Sequence, residues 1–338
     1  MKSIFQTLRP AFFGLFLLCG GALLASCATQ DASQKQAGDG TSAQSGGAKI
    51  VVGFSQIGAG NAWRIANTKS IKDEAAKRGI GLQFSDAQEK QENQIKAIRS
   101  FVAQGVDAIA YSPVVETGWE PVLREAKAAK IPVFLTDRGV DVTDESLYTA
   151  FIGSDFIDEG KRGGEWLAKK TGGKSQIAEL QGTAGASPTI DRKKGFDDAI
   201  KKFPGMKIIK TQNADYTRAK GKEVMESFLK SPAGKDITAV YAHNDDMALG
   251  AIQAIEEAGK KPGKDILIVS VDGIKDAFAA MKADKLNCIV ECSPALGPNL
   301  FDAVAAIKSG KTVPRRIMTE EGLFDETTPA KDMIGKDY

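Results

Sequence analysis

The amino-acid sequence predicts an α/β protein of two doubly wound parallel-sheet lobes. Short apolar runs alternate with amphipathic stretches along almost the whole chain. Runs that are apolar throughout, rather than at every second position, mark strands covered by helices on both faces. The alternation runs through twice, in halves of roughly 100–120 residues, and a chain of 338 residues suits two domains.

The first strand is Lys49-Ile-Val-Val-Gly-Phe-Ser55, followed by an amphipathic stretch to Arg78 that Gly79 closes in the left-handed position after a helix. A strand at 81–86, a helix at 90–104 closed by Gly105, a strand at 107–112 and a helix at 117–129 follow. Ile131–Thr136 is a strand with Pro132 near its start, where a missing N–H is tolerated. After Leu147–Gly153 the pattern restarts, with strands near 176–181, 206–211, 237–242 and 265–271 and helices near 188–202, 217–230 and 244–258.

The first 48 residues follow a different rule. Lys2 and Arg9 are the only charged residues before Asp31, and an apolar stretch from Ala11 to Leu24 leads into Leu24-Ala25-Ser26-Cys27. A basic start, an apolar run and a small-residue site are the layout of an export signal. Leu-Ala-Ser-Cys resembles the bacterial lipobox, whose cysteine is acylated and heads the mature chain. On that reading residues 1–26 are a lipoprotein signal peptide and Cys27 is the lipidation site. The folded part is then extracytoplasmic and lipid-anchored, in the periplasm or at the cell surface. An uncleaved span and an ordinary soluble signal peptide are the rival readings, although Gly14, Gly20 and Gly21 leave the apolar run short of the roughly 20 residues a span needs. Residues 27–48, rich in Gln, Ser, Gly, Ala and Thr without period, read as a flexible tether.

The chain carries 45 Lys+Arg against 43 Asp+Glu, and both surplus charges lie in the signal, so the remainder is neutral overall. A neutral body lacks the basic stripe of a nucleic-acid binder. One histidine and four cysteines argue against a protein-built metal centre or a histidine-dependent triad, and no cofactor is expected. Cys288 and Cys292, four apart in an extended segment, would lie about 13 Å apart at ~3.3 Å per residue, too far to pair.

Ligands of such sheets bind just past the carboxyl ends of the strands. The residues beyond the apolar runs are Gln56, then Asn61, Trp63 and Arg64; Ser112 and Pro113; Asp137 and Arg138; His243, Asn244 and Asp245; Asp272 and Gly273. Asp and Asn also cap helices, so each one singly has a local explanation. As a set drawn from both halves they predict a cleft. If Arg64, Arg138 and Arg192 face one cleft with Asp137, Asp272 and Glu291, three arginines meet three carboxylates, a balance that suits a neutral polyhydroxylated ligand better than an anion. About five charge-assisted hydrogen bonds, at ~1.5–3 kcal/mol each, outweigh the immobilisation cost and would give a Kd near micromolar, about −8 kcal/mol. Trp63 would stack on a sugar's C–H face or pack in the core.

The motifs then declare a resemblance. They are Val-Gly-Phe-Ser-Gln at 52–56 with Trp63-Arg64, Pro-Val-Phe-Leu-Thr-Asp-Arg at 132–138, Asp-Arg-Lys-Lys-Gly-Phe at 191–196, Ala-His-Asn-Asp-Asp-Met-Ala-Leu-Gly-Ala at 242–251 and Ser-Val-Asp-Gly at 270–273. In this order they resemble the type I periplasmic sugar-binding proteins of bacterial ABC importers, of the ribose and galactose class. The segments 91–109 and 118–123 are most similar to the branch that binds galactofuranose. The resemblance implies sugar-binding roles for Asp137, Arg138, Arg192, Asn244 and Asp272, with Glu291 as the choice for a last position near the third crossover. It implies a three-crossover hinge, near 152–156, 272–274 and 292–295. The lobes would then be 49–153 plus 274–292 and 154–273 plus 293–338. It also implies a monosaccharide ligand, an importer permease as partner, membrane contact through the N-terminal lipid only, and a monomer without enzymatic activity.

Four rivals stand beside this reading. Gly58-Ala-Gly60-Asn-Ala-Trp63 imitates a dinucleotide loop, but Trp63 fills the place of the third glycine, where packing requires a small residue. Asp137 and Asp272 could be paired glycosidase carboxylates, but no further motif supports hydrolysis. A regulator of the lactose-repressor type shares the fold but needs a DNA-binding helix pair where the signal and tether stand. A binder of the same fold could instead signal to a chemoreceptor or sensor kinase, or take an autoinducer or nucleoside.

Overall fold

The computed structural model of the chain describes residues 49–329 and 338, so the export signal, the tether and Cys27 lie outside the described residues. The strands are β1 (Val51–Gln56), β2 (Gly81–Asp86), β3 (Ala108–Tyr111), β4 (Val133–Thr136), β5 (Ala150–Gly153), β6 (Lys174–Gln181), β7 (Gly205–Asn213), β8 (Ala239–Ala242), β9 (Leu267–Asp272), β10 (Cys288–Glu291), β11 (Arg316–Met318) and β12 (Leu323–Asp325). The helices are α1 (Ala62–Lys77), α2 (Gln91–Gln104), α3 (Glu120–Ala128), α4 (Phe156–Thr171), α5 (Ser187–Ile200), α6 (Arg218–Lys230), α7 (Asp245–Glu257), α8 (Lys275–Lys282) and α9 (Gly297–Lys308). No helix among the described residues is long and apolar enough to cross a membrane.

The strands make two six-stranded sheets, ordered β11-β5-β4-β3-β1-β2 and β12-β10-β9-β8-β6-β7. Every pair is parallel except β10 with β12. The continuous apolar runs follow from burial on both faces. In β3, Ile109 and Tyr111 pack with Ile98, Phe101 and Trp119 on one side, while Ala108 and Ala110 pack with Ile71, Leu300 and Phe301 on the other. Helix ends also stop where the glycines demanded, with Gly79 and Gly105 at φ of 67° and 64°.

The predicted assignment of 274–292 to the first lobe is corrected. β9, α8 and β10 form one βαβ unit, and β10 pairs in parallel with β9 from Cys288↔Val269 to Glu291↔Asp272, so this stretch stays in the second lobe. The segment that returns to the first lobe is later. α9 lays Leu300, Phe301 and Val304 against Ile71 and Ala75 of α1, and β11 joins the edge of the first sheet before β12 goes back to the second. The connections between lobes therefore fall after β5, after β10 and between β11 and β12; none lies at 272–274. One carboxylate touches all three: Glu321 Oε1 accepts from Ser154 Oγ at 2.5 Å, from Ser293 N at 2.9 Å and from Thr319 Oγ1 at 2.7 Å.

Candidate functional site

Strand ends and helix starts of both lobes converge on one small, tightly closed cavity. Eight of the ten residues expected to meet a ligand line it: Asn61, Trp63, Arg64, Asp137, Arg138, Arg192, Asn244 and Asp272. Pro188, Tyr216 and Cys292 complete the wall.

Local chemistry holds each side chain. Asn61 caps α1 by accepting from Arg64 N, and Asn244 caps α7 by accepting from Met247 N at 3.0 Å. Their amides both donate to Tyr216 O, at 3.4 and 3.3 Å, so one carbonyl ties the first lobe to the second. Trp63 reaches from α1 into the core of the second lobe, where its indole donates to Cys292 O at 2.7 Å and its ring carries the Arg64 guanidinium 4.6 Å above it. It lines the cavity and packs the core at once.

The arginines are differently committed. Arg64 pairs with Asp137 at 2.5 Å. Arg192 donates to Glu159 Oε2 at 2.7 Å and to His243 O at 2.6 Å, with Nη2 4.0 Å from Asp272 Oδ1. Arg138 donates to Val114 O at 2.8 Å, while its buried Nε makes no hydrogen bond among the described residues and lies 3.8 Å from Asp137 Oδ2. Burial, then the nearby Arg64, pulls the Arg138 guanidinium down to about 10. Burial, the largest single effect, would lower Arg192 as well, but Glu159, Cys292, Tyr216 and Asp272 together outweigh it and raise the guanidinium well above the ordinary arginine value. That single cation faces several buried acids. Burial pushes Glu159 up to about 8 against the opposing pull of Arg192, and drives Asp272 well above the usual carboxylate range, with Asp245 adding to the rise.

Both cavity aspartates hold backbone conformations that L-residues seldom adopt, Asp137 at φ 63° and Asp272 at φ 131°. Such strain persists where surrounding contacts over-determine it, and it gathers at binding sites. Asp137 N donates to Ile152 O at 2.8 Å, and the amides after Asp272 donate to Asp245 Oδ2. The Asp272 carboxylate itself accepts no hydrogen bond among the described residues; it stands in the cavity wall, 4% exposed. Unpaired charge on a buried carboxylate is costly, and hydroxyl donors of a ligand would relieve it.

Two expected residues stand elsewhere. Gln56 lies behind Arg64, accepting from its Nη1 at 3.2 Å and donating to Asn67 and Thr68. Glu291 points away from the cavity, accepts from Gly322 N at 2.6 Å and lines a separate hollow with Ser70, Ser293 and Tyr338. Cys292, one residue on, takes the wall position because successive residues of an extended strand face opposite sides. Tyr216 could have been found by the strand-end rule applied to β7, which it follows by three residues. Glu159 carries no such signal, sitting within α4. His243, also a strand-end residue, is fully buried against Glu179 Oε1 at 3.2 Å and does not line the cavity.

Residues 52–312 match the family described as periplasmic binding protein domain. The chain is 55% identical over 292 residues to the galactofuranose-binding protein YtfQ of Escherichia coli, covering 86% of this chain and 92% of that one. It is also 55% identical to the periplasmic binding component of the arabinose ABC transporter of Shewanella sp. ANA-3, solved with α- and β-L-arabinofuranose. That match has a TM-score of 0.82 over 85% of this chain and 95% of the other. A protein of Mycobacterium smegmatis solved with β-D-fucofuranose is 52% identical, with a TM-score of 0.80 over 82% and 91%. Two parallel-sheet lobes, three connections between them and this extent of identity together place the chain in the periplasmic binding protein family.

Proposed function

We propose that the mature chain is an extracytoplasmic solute-binding lipoprotein. It captures a neutral monosaccharide in furanose form, galactofuranose or arabinofuranose, between its lobes and delivers it to an ABC importer permease. It acts as a monomer, binds rather than converts its ligand, and meets the membrane only through acyl chains on Cys27. The observation that carries this reading is the Asp272 carboxylate, buried in the cavity wall and accepting no hydrogen bond among the described residues, in a lining it shares with Arg138, whose Nε makes no hydrogen bond among them either. A hydroxyl both donates and accepts, so a sugar supplies what each group lacks. Arg64, Asp137 and Arg138 come from one lobe and Arg192, Asn244 and Asp272 from the other. A ligand touching both binds the closed arrangement better than the open one, and only that difference shifts the equilibrium.

The test is a thermal-shift and calorimetric panel of pentoses and hexoses, furanose-locked forms included, on residues 49–338. Stabilisation by furanoses with little response to uronates or sugar phosphates is expected; no response across the panel would remove the sugar reading. Mass spectrometry of the membrane-extracted protein should find acyl chains on Cys27, and a free mature N-terminus elsewhere would overturn the anchor.

A further inference from the structure

The sugar-facing wall has a backing on the side away from the cavity. Tyr338 Oη lies 2.5 Å from Asp272 O and 2.5 Å from Cys292 O, so its one hydroxyl proton is shared between the two carbonyls. Tyr338 O in turn accepts from Lys275 N at 3.1 Å, which fixes the residue on the start of α8. Asp272 and Cys292 both line the cavity, while Tyr338 does not; it borders the hollow behind the hinge with Glu291, Ser293 and Pro294. The tyrosine therefore touches only the main chain of the two wall residues, from the rear.

These carbonyls belong to a critical stretch of backbone. Asp272 holds φ at 131° and Gly273 at 107°, and a non-glycine residue stays there only while its neighbours enforce it. Cys292 N donates to Asp272 O at 2.9 Å, and Gly273 N and Ile274 N donate to Asp245 Oδ2 at 2.7 and 2.9 Å. Tyr338 adds the remaining bond on Asp272 O. Cys292 O accepts both from Tyr338 and from Trp63 Nε1, so the same hydroxyl reaches, through one carbonyl, the tryptophan brought from the first lobe. The Asp272 carboxylate, 4.0 Å from Arg192 Nη2, hangs from the peptide this network holds.

We propose that Tyr338 is a positioning residue for ligand binding, acting through the main chain of Asp272 and Cys292 to aim the Asp272 carboxylate into the cavity. This rests on the sugar reading given above. Phenylalanine at 338 keeps the ring and removes the shared proton, so the carboxylate loses its aim while the fold is retained.

The experiment is a double-mutant cycle on the full chain, read by titration calorimetry with L-arabinose at its solution equilibrium of ring forms. Tyr338→Phe should weaken binding about tenfold in the otherwise unaltered protein, the factor expected for about 1.4 kcal/mol, and less than about twofold in an Asp272→Asn background, because coupled residues are non-additive. In an Asn61→Ala background the full factor should persist. An equal loss in all backgrounds, or no loss in any, overturns the proposal. A carbon-13 titration of the Asp272 carboxyl without sugar gives a second readout should Asp272→Asn abolish binding. Tyr338→Phe should move that midpoint and leave Glu159 in place, and an unmoved Asp272 midpoint overturns the proposal. Failure of the unaltered protein to bind any sugar would remove the sugar reading instead, with the titration still deciding whether Tyr338 aims Asp272.

Discussion

Arg192 Nε lies 2.7 Å from Glu159 Oε2 because the two helices that carry them touch backbone to backbone. A Cβ on Gly160 would stand 2.1 Å from Arg192 O, and one on Gly195 would stand 2.0 Å from Ile157 O. Only glycine allows α4 and α5 so close. The cavity arginine thus owes its position to two glycines that do not line the cavity.

The first prediction concerns pH. The Glu159 carboxyl, pushed up to about 8 by burial, binds its proton more tightly folded than unfolded, where about 4.3 is usual. Its contribution to stability is complete below the unfolded value and is lost as the pH rises through about 8. Urea unfolding between pH 5 and 9, as rough bounds of that window, should show stability falling by at most about 1.4 kcal/mol per pH unit from this group. Glu159→Gln, which cannot ionise, should flatten the decline; an unchanged slope would refute the assignment.

Arg138 lines the cavity, and its Nε makes no hydrogen bond among the described residues. Arg138→Ala should therefore lose at least ~1.5 kcal/mol of sugar binding, on the scale of charge-assisted hydrogen bonds. Arg192→Ala should lose at least as much and should also destabilise the fold by ~1–3 kcal/mol, since it leaves the Glu159 carboxyl buried without its partner. Calorimetry and denaturant melts of the two variants separate these effects.

Gln56 accepts from Arg64 and does not line the cavity. Gln56→Leu should cost ~1–3 kcal/mol of stability by leaving buried donors and acceptors unpaired. It should weaken all sugars of a panel by a common factor, with their rank order preserved. A changed rank order would return Gln56 to direct contact.

Glu321 gathers donors from all three connections between the lobes. Glu321→Ala should lower stability by ~1–3 kcal/mol. It should also expand the ligand-free protein in small-angle scattering, since hinge segments freed from a common acceptor open more readily. Unchanged scattering with lowered stability would make Glu321 a stabiliser only.

Much of the site was legible because strand ends of a parallel sheet lie at one edge. Asp137, Arg138, Asn244 and Asp272 could be listed without knowing any contact. Glu291 failed by one residue, since in an extended strand that step turns a side chain from the cavity to the hollow behind it, and Cys292 took the wall. Gln56 failed differently: it ends its strand as expected, but Arg64 stands between it and the cavity.

The sequence by itself determined the two-lobed α/β class, most of the strand and helix order from β1 to β9, the neutral body and much of the cavity lining. These rest on local periodicity and composition. Only the tertiary structure decided that β10 lies beside β9 while α9 and β11 return to the first lobe. It alone placed Glu159 on Arg192 and Tyr338 behind Asp272. Strand neighbours and long-range polar partners are chosen by packing between segments far apart in the chain, and no local pattern encodes that choice.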